Sequence, residues 1–195
     1  MPSAKEPYRL EGRTALIAGP TNELSREIAA TFTAAGARVS QALVGLPVSA
    51  EMKAAVEAAE ILVLQTVWDD GSGLAAAHDS ASYQSLSHQL VELPRTLIAS
   101  AAPVMRRRHW GRVVFVAIGE VAAPAVIAAR SAQSALMQAE ARCLAGDGIT
   151  LNMVTSPCWH DAANGERMAA IAAAVLYFAS DESAFLTGQT LHLRA

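Results

Sequence analysis

Short apolar runs alternate along the chain with stretches in which apolar residues recur at helical spacing, and this alternation predicts the elements in order. Thr14 to Ala18 is an apolar run entering a tight Gly19-Pro20 turn. Leu24, Ile28, Ala29 and Phe32 then share one helix face, and Gly36 releases the chain into a second strand, Val39 to Val44. A strand, a helix and a strand in that order need a right-handed crossover, so the unit predicts a doubly wound, mostly parallel α/β sheet covered on both faces. Pro47 breaks the chain, Ser49 is placed to cap a short helix from Ala50 to Ala59, and Ile61 to Leu64 is the next buried strand. Trp68 to Gly73 reads as loop, and Ala75 to Ser82 is small and polar. A long helix follows with Leu86, Leu90, Leu93 and Leu97 on one face, Pro94 placed to bend it, and Val104 and Met105 near its end. Arg112 to Ile118 is the cleanest buried strand. Pro124 precedes an alanine-rich helix running to Leu144, in which Ala128, Ala132, Ala135 and Ala139 form a stripe of minimal side chains that permits close approach of a helix or the sheet. Ile149 to Val154, Met168 to Ala179 and Gln189 to Leu193 complete the chain as strand, buried helix and strand.

Composition narrows this picture. The chain has 195 residues, 52% of them hydrophobic and 17% charged, enough to bury a sizeable core in a single domain over residues 1–195. The first twelve residues are polar and no apolar run reaches the roughly 18 residues a membrane span requires, so a cytoplasmic protein without membrane contact is expected. A net charge of −3 with no basic stripe argues against nucleic acid. The one basic run, Arg106-Arg107-Arg108-His109, closes the long helix, where cations complement the dipole. Cys143 and Cys158 are too few for a disulfide framework. Cys158, His160 and Asp161 cluster, but without a further partner they read as surface loop, and no metal site is expected.

The Gly19 turn is where a dinucleotide would sit. A dinucleotide fingerprint uses glycine for the sharp turn, for close approach to the pyrophosphate and for helix packing on the strand. Only Gly19 survives here, while Glu23 and Ser25 hold the other two positions. A carboxylate suits the helix N-terminus but repels the pyrophosphate that would use the same positive end. Gly19 and Asn22 are therefore expected as a vestigial turn, with no cofactor-binding set.

Four collinear segments, LEGRTALIAG, APVMRRRHWGRVVFV, GITLNMVTSP and AAVLYFASDESAFLTGQTLHL, make nearly the whole chain similar to the short-chain dehydrogenase/reductase family. The resemblance implies a Rossmann-like fold. It also implies a catalytic tyrosine with a lysine four residues later, and here the chain departs from the family. Tyr8, Tyr83 and Tyr177 are followed four residues on by Gly12, Ser87 and Asp181, and Lys5 and Lys53 are the only lysines. Aligning the alanine-rich helix one way puts Ala129 and Gln133 at the two positions; aligning it the other way puts Val126 and Arg130 there. The family's serine falls at Ile118, its helix asparagine at Leu90, its strand-end NNAG at Leu64-Gln65-Thr66-Val67, and its ribose-binding acid at Leu43. No catalytic residue is expected. Arg130 resembles, distantly, the arginine of the halohydrin dehalogenases, against the ordinary reading of a solvent-exposed helix arginine.

Between Val44 and Ile61 there is room for one helix only, so the family's third, edge strand is expected to be missing. The ten residues between Pro157 and Met168 are too few for its substrate lid. The segments by which the family associates, Leu86 to Met105, Ala125 to Leu144 and Ile171 to Leu193, are kept. The leading expectation is accordingly a non-catalytic, cofactor-free assembly subunit pairing with an active homologue or with itself. Two alternatives stand beside it: an NAD(P)-dependent oxidoreductase with an atypical site, and a small-ligand-binding module in the vacated cleft.

Overall fold

A computed structural model describes residues 7–43, 48–67, 80–119, 124–157 and 164–194. Among them are six strands: β1 (Thr14–Ala18), β2 (Arg38–Ala42), β3 (Ile61–Val67), β4 (Gly111–Ile118), β5 (Ile149–Ser156) and β6 (Thr190–His192). They form one all-parallel sheet in the order β2-β1-β3-β4-β5-β6. The helices are α1 (Glu23–Ala34), α2 (Ala50–Ala58), α3 (Ser80–Ser87), α4 (Leu93–Arg108), α5 (Pro124–Leu144) and α6 (Asn164–Ala179). The doubly wound expectation holds. Val44, Pro47, most of the Trp68 to Ser82 stretch and the Cys158-His160-Asp161 cluster lie outside the described residues.

Successive strand residues point to opposite faces, and each face has its own core. Leu16, Leu62, Leu64, Val113, Phe115 and Leu151 pack with Val56 of α2, Leu97, Ile98 and Met105 of α4, and Met137 and Leu144 of α5. On the other side Ile17, Val63, Val114, Val116 and Val154 meet Leu24, Ile28 and Phe32 of α1 and Ile171, Val175 and Phe178 of α6. β4 lies between β3 and β5 and is buried at every residue, which is why its sequence reads as one continuous apolar run after Arg112.

Ser49 caps α2 as its position predicts, its hydroxyl accepting the Met52 N–H at 3.2 Å. The long helix differs from a simple bend at Pro94. Pro94 has no N–H to offer the Leu90 carbonyl and its ring crowds that group, so the chain widens into a π turn over His88–Glu92, where Leu93 N–H reaches back five residues to the His88 carbonyl. Leu86, Leu90, Leu97 and Ile98 all remain buried within the chain. At its far end α4 carries Arg106, Arg107 and Arg108 in the last turn and stops at His109, with φ 51°; Arg106 pairs with Asp147 at 2.7 Å.

The alanine stripe is on the wrong side of α5 for its expected role inside the chain. The inward line is Val126, Ala129, Gln133, Met137, Ala141 and Leu144, and Ala128, Ala132, Ala135 and Ala139 face outward. Small size alone does not orient a helix; Val126, Met137 and Leu144 gain more by burial than the methyl groups of the stripe and turn their own line to the sheet.

At the amino ends of the strands Arg13 donates to Glu60 Oε1 at 2.9 Å, and Thr14 N–H to Glu60 Oε2 at 3.2 Å. Burial opposes ionisation of Glu60, but the Arg13 and Thr14 bonds and the charges of Arg13 and Arg108 outweigh it and hold its carboxyl below the usual glutamate value. A carboxyl depressed in the folded state contributes stability above its unfolded pKa and loses it as pH falls through the folded one. Glu60→Gln is therefore expected to flatten the acid limb of the stability profile below about pH 4.5, without changing its shape near pH 7. Urea melts of both proteins between pH 3 and 7 check this.

Candidate functional site

The carboxyl ends of all six strands open on one side, where sheets of this kind place ligands. The Gly19 turn follows β1. Gly19 has φ 153°, and a Cβ on it would stand 2.4 Å from the Gln65 carbonyl oxygen, so the glycine is required by the approach of the turn to β3. Asn22 is not idle. Its Oδ1 accepts the Ser25 N–H at 2.9 Å and the Gln65 Nε2 at 3.1 Å, while Ser25 Oγ accepts the Asn22 N–H at 3.0 Å, a capping box that also ties the end of β3 to the start of α1.

These residues bear on whether a dinucleotide fits. The sharp turn is kept by Gly19. The packing role of the third glycine is met by Ser25, small and buried with its hydroxyl turned into the cap. The box leaves the Glu23 and Leu24 amides of the first turn unused by it, and the Glu23 carboxylate lies exposed at the first helical position, where solvent weakens its repulsion. The turn and the two first-turn amides suit a pyrophosphate, and Glu23, in the place of the close-approach glycine, opposes it. Leu43, in place of a ribose acceptor, is 77% exposed.

The positions matching the family's catalytic set are mostly core. Ile118, Leu90, Val126 and Ala129 are buried apolar residues, with Leu86, Leu90, Val126 and Ala129 forming one small cluster. Arg130 departs from its ordinary reading as a solvated arginine. It turns in from α5 to the end of β4, with Nη2 donating to the Ile118 carbonyl at 2.9 Å and Nη1 making a long contact to that of Ala117 at 3.5 Å. Its Nε is buried with no hydrogen-bond partner among the described residues. Burial pushes its pKa down to about 10, which leaves it a cation at neutral pH.

Arg130 borders a cleft of about 840 Å³ between α5 and the β5–β6 edge. Ala117, Met153 and Ile127 supply apolar wall, Gln133 and Ser134 project from α5, and Thr155, His192 and Arg194 complete the far side. His192 Nδ1 lies 2.7 Å from Thr155 Oγ1, a bond that fixes the ring. Among the described residues no group of His, Cys, Asp or Glu is arranged to hold a metal, and Cys143 is a free, exposed thiol. No described helix is long and apolar enough to cross a membrane.

Arg130 was visible in the sequence as a cation in the first half of an alanine-rich helix, adjacent to the buried line, and its spacing to Val126 marked it. His192 and Thr155 carried no signal, because their meeting depends on the register of β5 against β6, Thr155 opposite His192.

No protein-family model and no curated protein matches the chain. Solved structures do. The chain is similar to a 3-oxoacyl (acyl-carrier-protein) reductase from Agrobacterium tumefaciens C58 with NADP bound, at 22% identity and TM-score 0.78 over 96% of this chain and 95% of that one. A short chain dehydrogenase/reductase family protein matches at 24% identity and TM-score 0.79 over 95% and 97%. A gluconate 5-dehydrogenase from Burkholderia cenocepacia J2315 in complex with NADP and tartrate matches at 18% identity and TM-score 0.74 over 96% and 95%. The chain has the fold of the short-chain dehydrogenases/reductases. These findings correct the leading expectation of a non-catalytic, cofactor-free assembly subunit: the similar structures are described as a reductase, a dehydrogenase and a family member, and two of them hold NADP. Loss of the Tyr-Lys pair and of two glycines leaves the turn, the α1 N-terminus and the cleft in place.

Proposed function

We propose that the chain is an oxidoreductase of the short-chain dehydrogenase/reductase type that takes a nicotinamide dinucleotide at the Gly19 turn and works through an atypical site at the end of β4. The observation that carries this reading is Arg130, a cation drawn into the low-dielectric end of the sheet with one donor, Nε, not engaged by a described residue. The nucleotide, when bound, supplies the hydride. The α1 amides at Glu23 and Leu24 would hold its pyrophosphate, with the exposed Glu23 side chain in solvent. Arg130 keeps its proton and stabilises oxygen charge by hydrogen bonding, an effect worth most where water is excluded. His192, oriented by Thr155, is the side chain of the same cleft through which a proton can be delivered at Nε2.

Among the described residues the sheet ends at β2, which fits a family member shortened by its edge strand, and the ten residues 158–167 are too few for a long lid. Association, as a homo-oligomer, runs through the Ile171–Leu193 segment, where Phe185 is fully exposed beside Leu186 and Leu191. Calorimetric titration with NADPH and NADH is expected to show micromolar binding of one of them, about −8 kcal/mol. Arg130→Gln is expected to lower kcat/KM of the carbonyl substrate found by panel by about 100-fold or more. Failure of both nucleotides to bind at millimolar concentration would overturn the reading.

A further inference from the structure

We infer that the cleft between α5 and the β5–β6 edge is a site for a small carboxylate, so that the substrate of the oxidoreductase read above is a short oxo or hydroxy acid; only this last step rests on that reading. The charge lining the cleft is of one sign. Arg130 and Arg194 face it, and among its described lining residues there is no aspartate or glutamate, in a chain whose net charge is −3.

Hydrogen bonding points the same way. Gln133 is 1% exposed and its Nε2 has no partner, and one turn earlier on the same helix Arg130 Nε is also buried without one. Buried donors left unsatisfied are costly, and two of them on adjacent turns bordering one cleft mark the place of an acceptor with two oxygens. Arg130 Nη2 is already committed to the Ile118 carbonyl, so the fork cannot close on a third oxygen from that side. That favours a planar carboxylate over a tetrahedral phosphate. Ala117, Ile127 and Met153 give the rest of the molecule an apolar wall, and a cleft of about 840 Å³ admits it with room to spare.

The test is calorimetric titration of the whole chain, without nucleotide, using malonate, its neutral dimethyl ester and inorganic phosphate. Malonate should bind at least about tenfold more tightly than the ester and more tightly than phosphate. Gln133→Leu, which removes the unpaired Nε2, should bind malonate about tenfold less tightly, with its melting temperature as the check on folding; Arg194→Gln on the exposed rim should weaken binding with less risk to folding. Equal affinity for malonate and ester, preference for phosphate, or unchanged malonate binding in either folded variant would overturn the carboxylate site. Malonate binding with no nucleotide-dependent turnover of pyruvate would leave the site standing and defeat the oxidoreductase reading. Turnover of neutral ketones ahead of oxo acids would do the reverse.

Discussion

Gly19→Val is expected to destabilise the domain by about 3 kcal/mol or more, read as a fall in the urea midpoint at unchanged slope. Two costs combine. A Cβ at this position lands 2.4 Å from the Gln65 carbonyl oxygen and 3.0 Å from Gln65 Cβ, and the first of these is backbone within the sheet, which cannot swing aside. The φ of 153° is in addition one that L side chains rarely adopt and a β-branched one least of all. Displacing Gln65 would also pull on its bond to Asn22 and so on the cap of α1. Gly12→Ala is the control: φ is 75°, but nothing lies within 4 Å of the added carbon, so it should cost about 1 kcal/mol. Equal effects at the two glycines would show that conformation alone, and not the approach to β3, explains Gly19.

Arg112→Met is expected to cost about 3 kcal/mol, for reasons at the opposite end of the sheet. Arg112 is 2% exposed. Its Nε donates to the Ser180 carbonyl at 3.2 Å, and its Nη1 to those of Gly111 at 2.9 Å and Gly148 at 3.4 Å. The guanidinium also lies 4.4 Å from the Trp110 ring centre, with Arg13 at 3.7 Å, and Trp110 Nε1 donates to Asp181. Burial lowers the pKa of Arg112, and Asp181 offsets part of that. Methionine fills much of the volume but leaves three carbonyls without their donor, each a penalty of about 1–3 kcal/mol if water cannot reach it. The ion pair itself adds little, because the 3.5 Å contact is to an aspartate whose side chain is 53% exposed. Asp181→Asn should therefore change stability by less than about 1 kcal/mol, and a larger loss there than in Arg112→Met would reverse the argument.

The fold was legible because its two cores are written in the strands themselves. Val113 to Ile118 is apolar without interruption since both faces of β4 are covered, and Leu24, Ile28 and Phe32 repeat at the spacing that puts them on one core. Polar side chains were harder. Ser25 read as a lost glycine, whereas its hydroxyl and amide close the cap on Asn22. Arg130 read as solvated because a long side chain on a helix usually is, and only the carbonyls at the end of β4 reveal where it goes. Val126 and Ala129 of α5 take up Leu86 and Leu90, a contact between helices that no periodicity announces. Departures from a family's motif were legible, then, but what the replacing residues do was not.

The wide turn at His88–Glu92 also governs where the chain can change length. Buried positions step by four through Leu86, Leu90, Pro94, Ile98 and Ala102, and in a plain α-helix each such step drifts about 40° around the axis. The π turn takes out part of that drift and so holds one residue more than a regular helix would need between the same two flanks. Losing a residue within 88–92, with Pro94 also replaced, would close the turn to an ordinary one with Leu86 and Leu97 still facing inward. The same loss in the middle of α5 would rotate everything beyond it by about 100° and carry Met137, Ala141 and Leu144 out of the core. In descendants of this sequence, length variation in the long helix is expected to collect at that turn.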